Sequence, residues 1–500
     1  MAKLFYFSDI HCYLFPTNYI NADDTHTGLF EIAKKIEPDS LVLDGGDNLQ
    51  GSLLARHVIL NKIRPLPQAL AFKAAKLAGF TLGNHDFNYG REVIEDLASE
   101  LNLPLLNANL KDDLNRLKPK QYQVYTMKDG LKLGVVGITT DFVNVWEKNE
   151  NLETLHVTDC VDAAKKAFKA LTKDGVDYTI LVYHGGFEEK KEGQYIENRG
   201  TELSTIGFDV ILTAHQHLVM EPSIIGKSLV LQVGCKGMQY ALLEFSKEQH
   251  EIKAQLLKAQ DGINCNTAAV EKVQQQLQSL EDSLAGPLDE VIGTLPLPFC
   301  DNDKLESAMY GSSLVDFFNQ VQQDFTKADI SITALFNDPI TLNKEVTLRG
   351  LLTCYPFPNT LTVIEVDGFI LKTALERVAS YFAIQNNEIV ISERFTKPKV
   401  EHYNYDYYSA IEYEFCISKP LESRVVKLNY KGHDLLTFPE KKLSLVLNNY
   451  RQSGTGGYEV FSKCKILKQY SEDMQELLIE YVKSHKTISL PPKGNFKVHI

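Results

Sequence analysis

The chain has 500 residues, with 52 Lys or Arg against 65 Asp or Glu, and a net charge of −13. That length exceeds what one hydrophobic core organises, so it predicts two domains or three. The acidic balance argues against a grip on polymeric nucleic acid or an anionic membrane, both of which call for a basic face. It leaves room for a small anionic ligand, provided metal ions supply the local positive charge.

Eight cysteines are scattered without a CxxC spacing, which excludes a zinc knuckle or a disulfide framework and fits a reducing compartment. Met1-Ala2-Lys3 runs straight into Leu4–Phe7, without the pattern of a secretory leader. No apolar run reaches the about 18 residues that a membrane span needs. These features predict a cytoplasmic protein with no membrane partner.

In the first half, short apolar runs recur, and each ends in residues of metal-ligand type. Leu4–Phe7 leads to Asp9 and His11, and Leu41–Leu43 leads to Asp44-Gly45-Gly46-Asp47. Phe80–Leu82 leads to Gly83-Asn84-His85-Asp86, where the glycine is expected to allow a sharp turn at positive φ. Ile180–Tyr183 leads to His184-Gly185-Gly186, and Val210–Leu212 leads to His215-Gln216-His217. Helix-like stretches lie between them at Gly28–Ile36, Gln68–Ala78, Arg91–Leu101 and Ala163–Leu171. Continuous apolar runs suit strands covered on both faces, and such folds collect functional groups beyond the carboxyl ends of their strands. Taken singly, each motif reads as a turn, a solvated pair or a core imidazole. Ligand types at the same structural place five times over point instead to one metal site.

Imidazole with carboxylate and amide oxygen suits manganese, zinc or ferrous iron, with manganese favoured here, and the lack of thiolates disfavours structural zinc. Asp9, His11, Asp47, Asn84, His184, His215 and His217 are too many for one tetrahedral ion and enough for two. Asp47 can bridge such a pair. Two dications against two carboxylates keep net positive charge for a phosphate, and coordination lowers the pKa of bound water toward neutrality.

These motifs, in this order, resemble the signature of the calcineurin-like metallophosphoesterases. Gly46-Asp47-Asn48-Leu49-Gln50-Gly51 and the long second half resemble the 5′-nucleotidase family within them. The resemblance implies an α/β fold. An N-terminal four-layer metallophosphoesterase β-sandwich flanked by helices would span residues 1–265, a linker helix 266–290, and a C-terminal α/β nucleotide-binding domain 291–500. By position, the first metal takes Asp9, His11, Asp47 and His217; the second takes Asp47, Asn84, His184 and His215. His85 becomes the residue that stabilises the transition state and assists the leaving oxygen. The 5′-nucleotidases pair that histidine with an aspartate, whereas this chain has Asn88. Asn88-Tyr89-Gly90 instead resembles the branch of 2′,3′-cyclic-nucleotide 2′-phosphodiesterase/3′-nucleotidases.

Thr267–Leu284 reads as one helix, with Val270, Val273, Leu277, Leu280 and Leu284 in a stripe that packs on its own domain. Gly286-Pro287 is the expected stop. Beyond it, Ser313–Gln323 and Ile370–Tyr381 read as helices, and Ile411–Ile417 and Val425–Leu428 as strands. Cys354-Tyr355-Pro356-Phe357-Pro358-Asn359 and the glycine-rich Asn448–Tyr458 match the positions that sandwich a nucleobase in the family. Substrate contacts would then fall to Phe357, Asn359, Tyr450 and the metal-bound Asn84. Residues Leu295–Pro339 contain no arginine to clamp a 5′-phosphate, and Tyr403–Phe415 again resembles the cyclic-phosphodiesterase branch.

The expected activity is metal-dependent hydrolysis of a nucleotide phosphate, of the 2′,3′-cyclic and 3′ type. The alternatives are a 5′-nucleotidase or UDP-sugar hydrolase, and, from another class, a catalytically silent metal- and nucleotide-binding protein.

Overall fold

The apolar runs become two sheets in a computed structural model that describes residues 1–17, 19, 25–187, 197–301, 303–338, 340–357, 359–397, 399–489 and 496–500. Two compact units emerge, Met1–Ala285 and Gly286–Ile500. The strands of the first unit are β1 (Ala2–Phe7), β2 (Leu41–Asp44), β3 (Gly79–Phe80), β4 (Leu110–Asp112), β5 (Gln123–Thr126), β6 (Lys132–Thr139), β7 (Leu155–Val157), β8 (Tyr178–His184), β9 (Val210–Thr213), β10 (Met220–Ile225), β11 (Ser228–Gln232), β12 (Gln239–Ser246) and β13 (Glu251–Lys258). One sheet has the order β13-β12-β1-β2-β3 and the other β10-β11-β9-β8-β6-β5. The central pairings β1–β2, β2–β3, β6–β8, β8–β9 and β9–β11 are parallel.

The sheets face each other. Leu4, Tyr6, Leu41 and Leu43 of one share a core with Val135, Ile180, Val182, Val210 and Leu212 of the other. Outward residues of the second sheet, Val136, Ile138, Leu181 and Ile211, pack on the helix Cys160–Leu171. On the first sheet's outer side, Phe7 stacks with Phe72 of the helix Pro67–Ala74 at 6.0 Å. The result is four layers, helix on sheet on sheet on helix, and it explains why the strands read as continuous apolar runs.

The helix Thr267–Ser283 packs on the first unit, with Val270 and Leu277 buried as the stripe implied. Asn266 precedes it, and its Nδ2 donates to the carbonyls of Ala74 (2.7 Å) and Ala33 (3.3 Å) at the ends of two neighbouring helices. Gly286-Pro287 does not stop the helical course: a further turn, Ala285–Asp289, runs through both residues. Proline is tolerated there because the first turn of a helix has no use for its missing N–H.

The second unit is built on one core. Its main sheet runs in the order Asp406–Tyr408, Ile330–Ala334, Leu443–Asn448, Thr360–Val366, Ile466–Asp473, and a four-stranded sheet contains Glu412–Cys416 and Val425–Tyr430. The expected helices appear as Ser313–Thr326 and Gly368–Ala379. The Asp367 side chain caps the second of these by accepting from Ile370 N at 3.0 Å. Among the described residues, no helix is long and apolar enough to cross a membrane.

Replacing Asn266 with Ala takes the Nδ2 donor from two buried carbonyls, of which Ala33 keeps a long bond from Ile36 N at 3.4 Å. The expected loss is about 1–3 kcal/mol, read as a lower denaturant midpoint; an unchanged midpoint would contradict this role.

Candidate metal centre

Parallel strands in both sheets deliver their carboxyl ends to one place. Asp9 and His11 follow β1, Asp47 follows β2, Asn84 follows β3, His184 ends β8, and His215 and His217 follow β9. The structure brings all seven together. Asp9, His11, Asp47 and His217 form one group, and Asp47, His184 and His215 another; within each, the donor atoms lie within 4.8 Å of one another. Asn84 joins the second group, with Oδ1 at 2.7 Å from His215 Nδ1 and 3.3 Å from His184 Nε2.

Holding them there takes unusual backbone. Asp9, His11, Asp47, His215 and His217 all have positive φ, between 51° and 71°. Left-handed conformations cost non-glycine residues free energy and persist where the surroundings over-determine them. Gly83 serves differently from the sequence expectation. Its φ is −94° with ψ 178°, an extended conformation, so no positive φ is needed. Space is the reason for a glycine: a Cβ would overlap Asp47 Oδ1 and stand 2.5 Å from His184 Cε1.

The donor set fits divalent cations. His11 Nδ1 faces the Gln50 carbonyl at 2.8 Å and His184 Nδ1 faces the Gly45 carbonyl at 2.7 Å, so each ring donates there and turns the lone pair of Nε2 into the cluster. His215 Nε2 is held by the Glu197 carboxylate at 2.5 Å, which turns Nδ1 toward Asn84 Oδ1. His11 Nε2 and His217 Nε2 stand 3.0 Å apart. Buried Asp47 Oδ2 has no hydrogen-bond partner of good geometry. Acceptors that converge in this way are satisfied together by a cation.

The charges within the cluster depend on one another. Burial pushes the Asp9 carboxyl up to about 7, against the pull of His184 and with the repulsion of Asp47. Burial also drives His11 down to about 4. At Asp47 burial acts upward, yet the imidazoles of His184, His85 and His11 outweigh it and hold the carboxyl well below its usual range. His184 is the counterpart: burial acts downward, and Asp47 lifts it to about 10.

His85 stands beside the cluster, its ring 5.6 Å from that of His11, its N–H donated to Asp47 Oδ1 at 2.7 Å, and its Nδ1 2.8 Å from Asn88 Oδ1. Sequence reasoning quoted Asp86 without a task for it. The structure supplies one: its carboxylate accepts the backbone N–H groups of Gly83, Asp47, Asn48 and Leu49 at 2.7–2.9 Å and so shapes the loop that carries Asp47. Glu197, Glu147 and Trp146 were also missed. Trp146 stacks on His215 at 5.6 Å with the rings 16° from parallel. None of the three lies in a strand-exit motif, so no local pattern marks them.

In the second unit, Leu361 pairs with Asn448 across antiparallel strands, so the segments carrying Asn359 and Tyr450 leave from one end of the same pair. Asn449 Oδ1 accepts from Thr360 N at 3.2 Å. Phe357 packs its ring on Phe336 at 5.3 Å, while Pro358 lies outside the described residues. The glycine-rich segment is pinned from beneath by buried Arg451, which donates to the carbonyls of Thr455 (2.6 Å) and Tyr403 (2.9 Å) and pairs with Asp406. Phe357, Asn359 and Tyr450 are each half-buried.

The profile of the calcineurin-like phosphoesterases matches residues 2–219, and that of the 5′-nucleotidase C-terminal domain matches residues 291–463. The chain thus carries a calcineurin-like phosphoesterase domain, and is an enzyme of the phosphoester hydrolases. More particularly, it joins that domain to a 5′-nucleotidase C-terminal domain. It is 22% identical to the trifunctional nucleotide phosphoesterase of Bacillus subtilis over 98% of its own length, but spans only 38% of that protein. A 2′,3′-cyclic-nucleotide 2′-phosphodiesterase/3′-nucleotidase of Yersinia enterocolitica is 24% identical over 90% of this chain and 81% of its own. Among solved structures, a Staphylococcus aureus protein assigned as a 5′-nucleotidase, in complex with alpha-ketoglutarate, is 29% identical and superposes over 100% of both chains with a TM-score of 0.86.

Gly83→Ala must displace Asp47 or His184, and should weaken manganese binding by about 10–100-fold in calorimetry. Equal affinity would contradict the packing reason for this glycine. Asp86→Asn replaces half of an acceptor by a donor among four N–H groups. A loss of about 2–4 kcal/mol is expected, seen as a fall in thermal midpoint; no fall would show the loop to be held otherwise.

Proposed function

We propose that the chain hydrolyses nucleotides at the ribose 2′/3′ positions, as a 2′,3′-cyclic-nucleotide 2′-phosphodiesterase with 3′-nucleotidase activity. The observation that carries this is the pair of donor clusters sharing Asp47 with His85 beside them. Asp9, His11, Asp47 and His217 would hold one divalent cation, and Asp47, Asn84, His184 and His215 a second, manganese being the favoured metal. Such cations supply Lewis acidity toward the phosphoryl oxygens and a low pKa for a water in line with phosphorus.

The chain's own residues do the rest. Asp47 ties the two clusters together, and the neutral amide of Asn84 adds a donor atom without adding negative charge against the phosphate. In the first reaction water attacks phosphorus and the P–O2′ bond breaks, leaving a 3′-phosphate. The departing 2′-oxygen takes a proton, which His85 would supply. In the second, water breaks the P–O3′ bond and releases nucleoside and phosphate. Phe357 and Tyr450 would stack on the base and Asn359 would bond its edge, a mode that tolerates different bases. Arg349, the first arginine beyond 295–339, is paired to Asp289 at 2.6 Å, which supports a substrate with no 5′-phosphate to clamp. All eight cysteines are free thiols, in keeping with the cytoplasm as the compartment.

A 5′-nucleotidase is the second reading, favoured by the full-length likeness to the Staphylococcus aureus protein. Phosphate release and ring opening from 2′,3′-cyclic AMP, 3′-AMP, 5′-AMP and UDP-glucose, with manganese restored after chelation, separates the two. The proposal expects the first two substrates to be preferred; exclusive turnover of 5′-AMP would replace it with the second reading, and nucleotide binding without turnover would indicate a binding protein. His85→Ala should bind metal normally and lose about 10²–10⁴-fold in turnover; unchanged turnover would remove the histidine from the chemistry.

A further inference from the structure

We propose that Glu147 acts through Asn88 to set the proton and orientation of His85, so that a carboxylate one residue further back does the work of the aspartate this chain lacks. The inference rests on the role given to His85 under the proposed function. Asn88 Nδ2 lies 2.7 Å from Glu147 Oε2, and Asn88 Oδ1 lies 2.8 Å from His85 Nδ1. A side-chain amide is oriented by its partners, and a carboxylate can only accept. The NH2 group of Asn88 therefore faces Glu147, its carbonyl faces the ring, and His85 must carry a proton on Nδ1. Nε2 is then the nitrogen that meets the substrate. The charge of Glu147 polarises the amide and makes its carbonyl a stronger acceptor for the Nδ1 proton.

Glu147 is itself fixed. Its Oε1 accepts from Lys148 N and from Asn151 Nδ2, both at 2.8 Å, and Asn151 Nδ2 also donates to the backbone carbonyl of Asn88 at 2.9 Å. The Glu147 N–H continues the preceding turn by donating to Val143 O at 2.9 Å. Trp146, the one tryptophan of the sequence, stacks on His215, so a single short segment braces two histidines of the site. Glu147 is a positioning residue, not one that touches substrate.

A role in holding the segment and a role in setting His85 separate in the variants E147Q, N88D and N88D/E147Q. Glutamine can donate as well as accept, so in E147Q the Asn88 amide can turn over and present its NH2 to the ring. The expected result is a fall in kcat on the order of tenfold, below the 10²–10⁴ of a lost acid–base group, with KM within about twofold. N88D sets two carboxylates against each other and should also lose kcat. N88D/E147Q restores a carboxylate at the ring with an amide behind it, and its kcat should exceed that of both single variants. Losses that multiply in the double variant, or an E147Q kcat equal to wild type, would overturn the proposal.

A second readout does not need turnover. With the full-length protein, zinc present and 15N-labelled histidine, the His85 resonances, assigned by their loss in H85A, should show the proton on Nδ1 in the wild type and partly on Nε2 in E147Q. A wild-type proton on Nε2 would overturn the proposal. Unchanged Trp146 emission in E147Q checks that the segment has stayed in place, and if it moves, the wild-type tautomer and the double variant decide. Should the wild type hydrolyse none of the nucleotides, the proposed function fails, and the tautomer still judges the relay.

Discussion

Groups that only accept hydrogen bonds, or are turned so that only their lone pairs face inward, repel one another, and the first unit gathers them at the ends of its strands. Asp9, Asp47, Asn84 and the inward nitrogens of His11, His184 and His215 sit within a few ångströms, at relative exposures from nil to a tenth. Contacts among these groups cannot hold such a set together by themselves. A sheet sandwich with a full apolar core can hold it, because the strain at each left-handed residue is borne by the strands behind. The stability of the four layers and the chemistry of the site are in this sense one arrangement.

The devices around the cluster follow from that constraint. Backbone carbonyls at Gly45 and Gln50 take the outward protons of two imidazoles, and Glu197 takes that of a third. Asp86 spends its carboxylate on four backbone N–H groups and none on the cluster, so the loop carrying Asp47 has a fixed shape. Gly46, at φ 103°, and Gly83 let that loop approach closely where any side chain would collide. His85 is tied to the same loop through its backbone N–H, and to the segment after β6 through Asn88. Metal cluster and histidine are therefore set by one network.

What was legible in the sequence was whatever is local. An apolar run followed by Asp, His or Asn reads as a strand exit because burial of both faces makes the run continuous, and the structure gathers those exits. The stripe Val270, Leu277 shows its buried face for the same reason. Features set by distant neighbours were not legible. Gly83 looked like a turn residue, but its need arises from the side chains of Asp47 and His184, which the fold brings against it. Glu147 lies 59 positions from Asn88, with no motif around it, and only the packing of its segment reveals the contact. Likewise Gly286-Pro287 carried a stop signal that a new first helical turn can absorb.

The central claim is that two cations sit side by side, sharing Asp47. Crystals of the protein soaked in manganese, with anomalous differences collected at the manganese edge, test it directly. The account predicts two peaks about 3.5–4 Å apart, one against Asp9, His11 and His217 and the other against Asn84, His184 and His215, with Asp47 between. A single peak, or density away from Asp47, would contradict it.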